Sequence, residues 1–452
     1  MLMENGAMNE LDARILPPDD PQRRTLHNEV HARPSARVRL PALITYVALL
    51  NAGVSREQEC AHLQHLKGHA DLTVDRLQGN FLRLRCDGYT VKWERHTEFT
   101  RYSIVQPLPE HAGWGSALPE LASHVATGAD WLRGLPGQTV AAIHLAMLPE
   151  GMEDPQILAR AQQWLGEGML IGSRMGNTVD GQSHSCLLSH LRIGADGFER
   201  LLVLAEPETS EGRSGRISQR VLELETYRLM ALRGLPVAKQ LSPVLAQAES
   251  QLADITARLE GKQGGDQDLL DDLVALAARV ERATAEHGYR FSATRAYDAV
   301  VRERIAELRE RPLHGTQTVG EFMQRRLSPA IATVEATAQR LAALSERVSR
   351  TSALLRTRVD IATEAQNQQL LAKLTRGQDL QLRLQSTVEG LSIAAISYYV
   401  VSLLLYAAKA LKQAGLPIQP ELAVGLMIPL VLWGVWRTVQ RIHARIHHGA
   451  HG

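Results

Sequence analysis

An uncharged apolar run, Gly390–Ala408, lies between Glu389 and Lys409 and constrains the fold more than any other stretch. At 1.5 Å per helical residue, about nineteen residues cover nearly the hydrocarbon thickness of a bilayer. A second run, Leu422–Trp436, is shorter and crosses only if the Arg437 side chain reaches back to the interface. The two runs predict a transmembrane hairpin over 390–437; the alternative is a buried helical hairpin of a soluble domain.

Charge and leader patterns predict the cellular location. The first residues carry acidic groups and no apolar core, so they do not resemble a secretory signal. The tail over 438–452 is basic and rich in histidine, which predicts that it stays inside. We therefore expect a membrane protein with both termini in the cytoplasm and the lipid bilayer as a partner. A net charge of +1 gives no indication of nucleic-acid binding.

The first half of the chain alternates strand and helix patterns. After a lead over 1–25, the sequence predicts an α/β or α+β cytosolic domain over 26–210. Its helices are predicted at 55–78 and Ile157–Leu165. Its strands are predicted at Phe81–Cys86, Tyr89–Arg95, Phe99–Val105, Thr139–Leu148, Leu170–Met175, His184–Ile193 and Phe198–Leu204.

From residue 211 to residue 389 the pattern becomes helical, which predicts a bundle and stalk. Breaks are expected at Gly234-Leu235-Pro236, before Pro243, between Glu286 and Tyr289, and at Pro312–Gly315. Apolar residues from Leu341 to Ala362 follow the spacing of a coiled-coil seam, which needs a facing helix from this chain or from another copy.

Two polar motifs, LHNEVHARP and KWERHTEF, supply the candidate site. We predict that they meet in one polar site, either as a salt-bridged strut or as a binding site for a cytosolic ligand or protein. Its candidate residues are His27, Glu29, His31, Arg33, Glu94, Arg95, His96 and Glu98. The pattern indicates no catalytic residue, cofactor or metal site. His27 and His31 lack the glutamate of the zinc-protease motif, and a face of His62, His65 and His69 lacks an orienting carboxylate.

The first apolar run also carries hydroxyl groups. A candidate membrane-facing polar lining comprises Ser392, Ser397, Tyr398, Ser402 and Tyr406. Hydroxyls in a span commonly form hydrogen bonds between helices, and a single hairpin offers little surface for them. The sequence therefore predicts a homo-oligomer that associates through the stalk and the first span.

Several motifs resemble a bacterial family described only as uncharacterised membrane-anchored proteins. They are LHNEVHARP, KWERHTEF, RISQRVLELETYRLMALRGLPVA, YRFSATRAY and LRLQSTVEGLSIAAISYY, and they extend over nearly the whole chain. The resemblance implies membrane anchoring and brings no catalytic residues with it.

The predicted architecture also resembles the CorA-type magnesium and zinc transporters. Those proteins carry a Gly-Met-Asn motif just after the first span, where this chain has Tyr406-Ala407-Ala408-Lys409. Three functions stay open from the sequence: an anchored sensor or scaffold, a CorA-like transporter or channel, and an enzyme that uses the His-Glu-His-Arg motif.

Overall fold

A computed structural model describes residues 19–23, 26–27, 35–151, 156–176, 183–261, 264–413 and 419–448. The chain divides into two compact units. The first, which we call the sheet unit, comprises Met1–Lys262 and Asp271–Arg350. The second, which we call the helix unit, comprises Gln263–Leu270 and Thr351–Gly452.

One nine-stranded mixed sheet organises the sheet unit, in the order β2-β3-β4-β1-β5-β8-β7-β6-β9. Its pairs are antiparallel except for β5 with β8. The strands are β1 Ala42–Leu50, β2 Phe81–Arg85, β3 Thr90–Arg95, β4 Phe99–Pro107, β5 Gln138–Pro149, β6 Ile171–Met175, β7 Ser185–Ile193, β8 Glu199–Ala205 and β9 Arg311–Pro312.

The predicted strands are confirmed to within about two residues at each end, and the α+β class is confirmed with them. The sequence prediction omitted β1 and the two-residue strand β9. The helices are α1 Arg56–Gln64, α2 Ala129–Arg133, α3 Ile157–Leu165, α4 Glu211–Leu232, α5 Gly234–Glu260, α6 Asp266–Leu308, α7 Val319–Arg326, α8 Ser328–Gln413 and α9 Pro420–His448.

Alternate strand residues bury different layers, because successive side chains point to opposite faces of a sheet. Ile44, Leu145 and Val203 join one cluster with α4 and residues of α6, α7 and the start of α8. On the other face, α1 covers the half formed by β2, β3 and β4, and α3 covers the half with β5, β7 and β8. The sheet is therefore a central layer with helices on both faces.

Three predicted helix boundaries are wrong. The helix predicted over 55–78 ends at Gln64, and only a short 3₁₀ turn, Val74–Leu77, follows. Helix α5 runs through Pro243 instead of starting there. It does so because Leu241 and Leu245 are both buried, so packing on either side outweighs one missing backbone donor. Helix α6 likewise continues through His287 and Gly288.

The first part of the predicted seam on α8, Leu341–Val348, is filled from within the chain, whereas Ala362 at its other end is exposed. Leu341, Leu344 and Val348 are buried in the sheet unit. The Arg340 guanidinium at this level lies 2.8 Å from a Glu249 carboxylate oxygen of α5. This part of the seam therefore packs on the helices of its own chain.

The helix unit contains the rest of α8 and α9. Leu355 and Leu269 are buried in it, and the Arg358 guanidinium lies 3.2 Å from the Asp266 carboxylate. Two described helical stretches are long and apolar enough to cross a membrane, judged by length and composition. One lies within Val319–Gln413 and the other is Pro420–Arg441. Their side chains are mostly exposed.

Candidate cleft at the β3–β4 turn

A polar cavity of the sheet unit lies where β3 turns into β4. It has a volume of about 430 Å³, within the range of small-molecule sites. Cationic, amide and hydroxyl groups meet aromatic rings on its walls. We call it the β3–β4 cleft, and it is lined by Arg56, Asn80, Arg95, His96, Thr97, Phe99, Tyr227 and Tyr297.

Arg95 is fixed by a carboxylate of α1 on its side of the sheet. Its Nη1 lies 2.7 Å from the Glu59 carboxylate, and its Nη2 donates to the Val54 carbonyl at 2.8 Å. Glu59 is fully buried and also accepts a 2.6 Å hydrogen bond from the Thr100 hydroxyl. This arrangement makes Arg95 a rigid wall of the cleft whose charge is already neutralised.

Glu98 joins the β3–β4 turn to helix α6. It accepts hydrogen bonds from the Arg290 guanidinium and, at 2.7 Å, from the Tyr297 hydroxyl. Tyr297 and Arg290 are seven residues apart, so one face of the helix presents both. Burial, and then the Glu98 carboxylate, raise the pKa of Tyr297 above its ordinary value. Tyr297 is therefore a neutral donor here.

Two pairs of rings provide the apolar walls. His96 stacks on Phe99 with centroids 4.5 Å apart, and Tyr227 stacks on Tyr297 at 5.7 Å. Phe99 meets Tyr227 edge to face at 6.0 Å. Such ring arrangements hold aromatic side chains in place and leave flat surfaces against which a planar ligand can pack.

Arg56 is a cation of the cleft whose guanidinium is held by a neutral group, although the exposed Glu57 carboxylate is near enough to interact with its charge. Its Nη2 donates to the Asn80 side-chain oxygen at 2.6 Å. Within the described part of the chain, no carboxylate lies within 4 Å of its guanidinium, and its buried Nε has no hydrogen-bond partner. A half-buried guanidinium held by a neutral amide is suited to bind an anion.

Glu94 lies on the opposite face of the sheet from Arg95. There the Arg101 guanidinium binds it with two hydrogen bonds of 2.5 and 2.9 Å, and the Lys92 ammonium lies 3.1 Å away. Arg101 also lies 3.3 Å from Glu223 of α4. The cavity beside this network holds only about 30 Å³, which suits a structural network rather than a ligand site.

The structure therefore places Arg95, His96 and Glu98 at the β3–β4 turn and Glu94 on the opposite face of the sheet, where it is buried. His27 is exposed. Glu29, His31 and Arg33 lie outside the described residues, so the meeting of the two motifs stays a prediction. Sequence reasoning missed Arg56, Glu59, Arg290 and Tyr297. The spacing of Arg290 and Tyr297 within YRFSATRAY was a signal that could have indicated a shared helix face.

The remaining candidates are dispersed. His62 packs on Trp131 with centroids 4.5 Å apart, and burial lowers its pKa to about 4. His69 instead contacts the Arg85 carbonyl at 3.0 Å. In the first apolar stretch of α8, Ser392, Tyr398 and Tyr406 are exposed, Ser402 is half-buried and Ser397 is buried. The Ser392 hydroxyl donates to the Val388 carbonyl at 2.8 Å.

Fold and site define an α+β protein with a polar, ring-lined cleft and two apolar helices near its C-terminal end. The chain belongs to the family described as Protein of unknown function (DUF3422), whose model matches residues 18–446. This confirms the expectation of an uncharacterised family, while the likeness to CorA-type transporters stays a prediction. Searches of the curated proteins and of the solved structures returned no match.

Proposed function

We propose that this protein is a membrane-anchored sensor or scaffold whose sheet unit binds a small anionic ligand in the β3–β4 cleft. The observation that carries the proposal is the Arg56 guanidinium, which faces a cavity of about 430 Å³ without a carboxylate partner in the described chain. Its amide and aromatic neighbours suit a ligand with both a charged group and a flat ring.

The charges around the cleft favour an anion over a cation. Arg95 and Arg290 are each matched by one carboxylate, Glu59 and Glu98. Arg56 forms no ion pair of this kind within the described residues, although the nearby exposed Glu57 carboxylate partly offsets its charge. A phosphate or carboxylate group at Arg56 would complete its hydrogen bonds, and Tyr227 and Phe99 provide apolar surface for the rest of the ligand.

Calorimetric titration of the full-length protein in detergent tests the proposal. AMP, which has a phosphate and a planar ring, serves as the probe, with adenosine and inorganic phosphate as its two halves. We expect AMP to bind more tightly than either half and Arg56→Gln to weaken it at least tenfold, the scale of one lost charged hydrogen bond.

Arg133→Gln is the matched control, because Arg133 is an exposed arginine of the same unit that pairs with Asp130. Equal affinity of the Arg56 and Arg133 variants for AMP would contradict the assignment of Arg56. Absence of binding by AMP and by phosphate would contradict an anion site in the cleft.

Anchoring rests on the two helices that are apolar and long enough to cross a membrane. We expect the bacterial inner membrane, with both ends of the chain in the cytoplasm, because the tail after the second run is basic. Fractionation of cells checks this expectation: the protein should sediment with the membranes and resist extraction by high salt or carbonate.

A CorA-like transporter or channel is the second candidate, and the exposed hydroxyls of Ser392 and Tyr406 favour it. A transporter in liposomes would give ion flux that falls when these hydroxyls are removed by Ser392→Ala and Tyr406→Phe. A sensor or scaffold would bind its ligand and give no flux.

A further inference from the structure

Helix α8 exposes a row of large apolar side chains before its apolar stretch begins. Leu384 is 63% exposed and Val388 is 62% exposed, and Leu370, Leu374 and Leu391 are exposed in the same way. Arg376, Asp379, Arg383 and Glu389 are interspersed with them in sequence, so this part of the helix does not belong in hydrocarbon. Exposed leucines on a charged helix indicate a protein partner.

These apolar residues share one face. At about 100° per residue, Leu370, Leu374, Leu384, Val388 and Leu391 fall within a sector of about 100°. The charged residues Arg376, Asp379 and Arg383 fall on the opposite side. The segment therefore has one continuous apolar face that is uncovered in the helix unit, although Leu371 and Leu382 are also exposed and lie outside this sector.

The same face continues into the first apolar stretch. Ala395, Tyr399, Ser402 and Tyr406 lie along the line of Leu370 and Val388, by the same 100° rule. Tyr406 is 71% exposed, whereas Ser397, on the opposite side of the helix, is 4% exposed. We call this row, from Leu370 to Tyr406, the α8 face.

The chemistry of the α8 face changes along its length, which restricts what can cover it. Lipid can cover Tyr399 and Tyr406 but not Leu374 or Leu384, which lie among charged residues. A soluble protein can cover Leu374 and Leu384 but not residues within a bilayer. The occupant has to offer leucines outside the membrane and hydroxyls inside it, at the same spacing.

We propose that the α8 face binds the α8 face of a second copy of this chain, parallel and in register. Copies inserted in one membrane have the same orientation, so their α8 helices run parallel. In an in-register pair, leucines of one helix face leucines of the other, and tyrosines face serines or tyrosines. Within lipid, close packing and hydrogen bonds between the helices stabilise the association. This inference rests on the proposed membrane anchoring and not on the proposed ligand.

Charge is compatible with such a pair. In a pair of identical helices, a charged residue on the contact would face the same charge of the other copy and repel it. Arg376, Asp379 and Arg383 lie on the side of the helix away from the contact. Lys373 is at the edge of the face, where its ammonium stays in water. The seam from Leu341 to Val348 is covered by the chain's own helices, so the contact between copies begins farther along α8.

Disulfide cross-linking in native membranes tests the proposal. Single cysteines replace Leu384 or Val388 on the face, and Arg383 on the opposite side, in a chain whose Cys60, Cys86 and Cys186 are changed to alanine. Facing positions of paired helices can form disulfides because their Cα atoms come close. Copper phenanthroline should give a product at twice the 49.9 kDa chain mass for Leu384→Cys and Val388→Cys, at least tenfold more than for Arg383→Cys.

A second measurement uses repulsion. Leu384→Glu combined with Val388→Glu should reduce the mass in mild detergent to that of one chain, whereas Arg376→Glu combined with Arg383→Glu should leave it unchanged. Tryptophan fluorescence melting of the sheet unit should be the same for both pairs, which excludes general unfolding.

Three results would overturn the proposal: cross-linking that is equal at Leu384 and Arg383, none at Leu384 or Val388, or a product with a protein of another mass. A chain that fractionates as soluble but still cross-links at Leu384 would retain the contact between copies and refute the anchoring instead.

Discussion

At the scale of single residues, buried charge separates the structural parts of the sheet unit from the cleft. Glu94, Arg101 and Glu223 are all buried and satisfy one another. Burial alone would raise the pKa of Glu94, but Arg101 and Lys92 together hold it below its ordinary value. The charges of this network pair with one another, whereas the Arg56 guanidinium in the cleft can still bind an anionic group of a ligand.

Replacing Arg101 tests whether the closed network is structural. Arg101→Met keeps the length of the side chain but leaves two buried carboxylates with fewer cationic partners, so we expect a loss of about 3 kcal/mol. Urea unfolding of the full-length protein in detergent, followed by tryptophan fluorescence, measures it. Arg133→Met, which removes an exposed ion pair, should cost less than about 1 kcal/mol. Equal losses would show that the network adds nothing specific.

Glu199 gives the sheet unit a pH-dependent stability. Burial, and then the neighbouring Glu225 carboxylate, raise its pKa from an ordinary 4.5 to about 9, although Arg228 acts in the opposite direction. Between these two pH values the unfolded chain releases the Glu199 proton and the folded protein keeps it. The contribution of Glu199 to stability is therefore complete below pH 4.5 and is lost as pH rises toward 9.

Glu199→Gln should remove this loss. At pH 8 we expect the variant to be more stable than the original protein by on the order of 1–3 kcal/mol, and at pH 5 by much less. Melting temperatures over this pH range measure the difference. A difference that stays constant with pH would show that Glu199 keeps an ordinary pKa.

At the scale of elements, helices pack closely at the corner between α4 and α5. A Cβ added at Gly234 would lie 2.3 Å from the Thr294 hydroxyl oxygen and 3.2 Å from a Val334 methyl carbon. The Thr294 hydroxyl donates to the Ala231 carbonyl at 3.1 Å, which ties α6 to the same corner. Glycine is required here because neighbouring helices approach its backbone closely.

Alanine substitution at two glycines, Gly234 and Gly288, should change the stability of the protein in opposite directions. Gly234→Ala should cost about 1–3 kcal/mol, because Thr294 and its hydrogen bond must move. Gly288→Ala should stabilise the protein by up to about 1 kcal/mol, because Gly288 lies within α6 and an added Cβ meets no atom within 4 Å. Thermal melting of the two variants side by side measures both. Destabilisation by Gly288→Ala would contradict the continuous helix.

The strands were predictable where polar and apolar residues alternate or where turns mark their ends, as in Phe81–Arg85 and Thr90–Arg95. Strand β1 was not, because ALITYVALL is an apolar run buried on both faces, which periodicity alone does not distinguish from a buried helix.

Helix breaks were predicted at Pro243 and Gly288 from local preference, and packing overrode both. Arg95, His96 and Glu98 stood out by composition, but their partners Glu59 and Arg290 depend on tertiary contacts.

At the scale of the whole molecule, the two apolar helices determine which parts of the chain meet which solvent. If both cross a bilayer and both ends stay in the cytoplasm, only the connection near residue 415 faces the outside. That connection and the basic tail should then differ in their access to reagents that cannot cross the membrane.

Cysteine labelling in intact cells checks this orientation. In a chain without its native cysteines, a cysteine at position 415 should react with a membrane-impermeant maleimide, and one at position 449 should react only after the cells are opened. Labelling of both positions in intact cells would contradict the proposed topology.

The folded sheet unit is completed by contacts between residues that are far apart in sequence. Strand β9 pairs with β6, and Ile331 at the start of α8 belongs to the main core, so the unit cannot complete until about residue 331 has been made. The first apolar run begins at Gly390, about sixty residues later, which corresponds to about 3–12 s of synthesis. During translation, the order of the chain therefore gives the sheet unit time to fold before the membrane-insertion machinery meets its first candidate span.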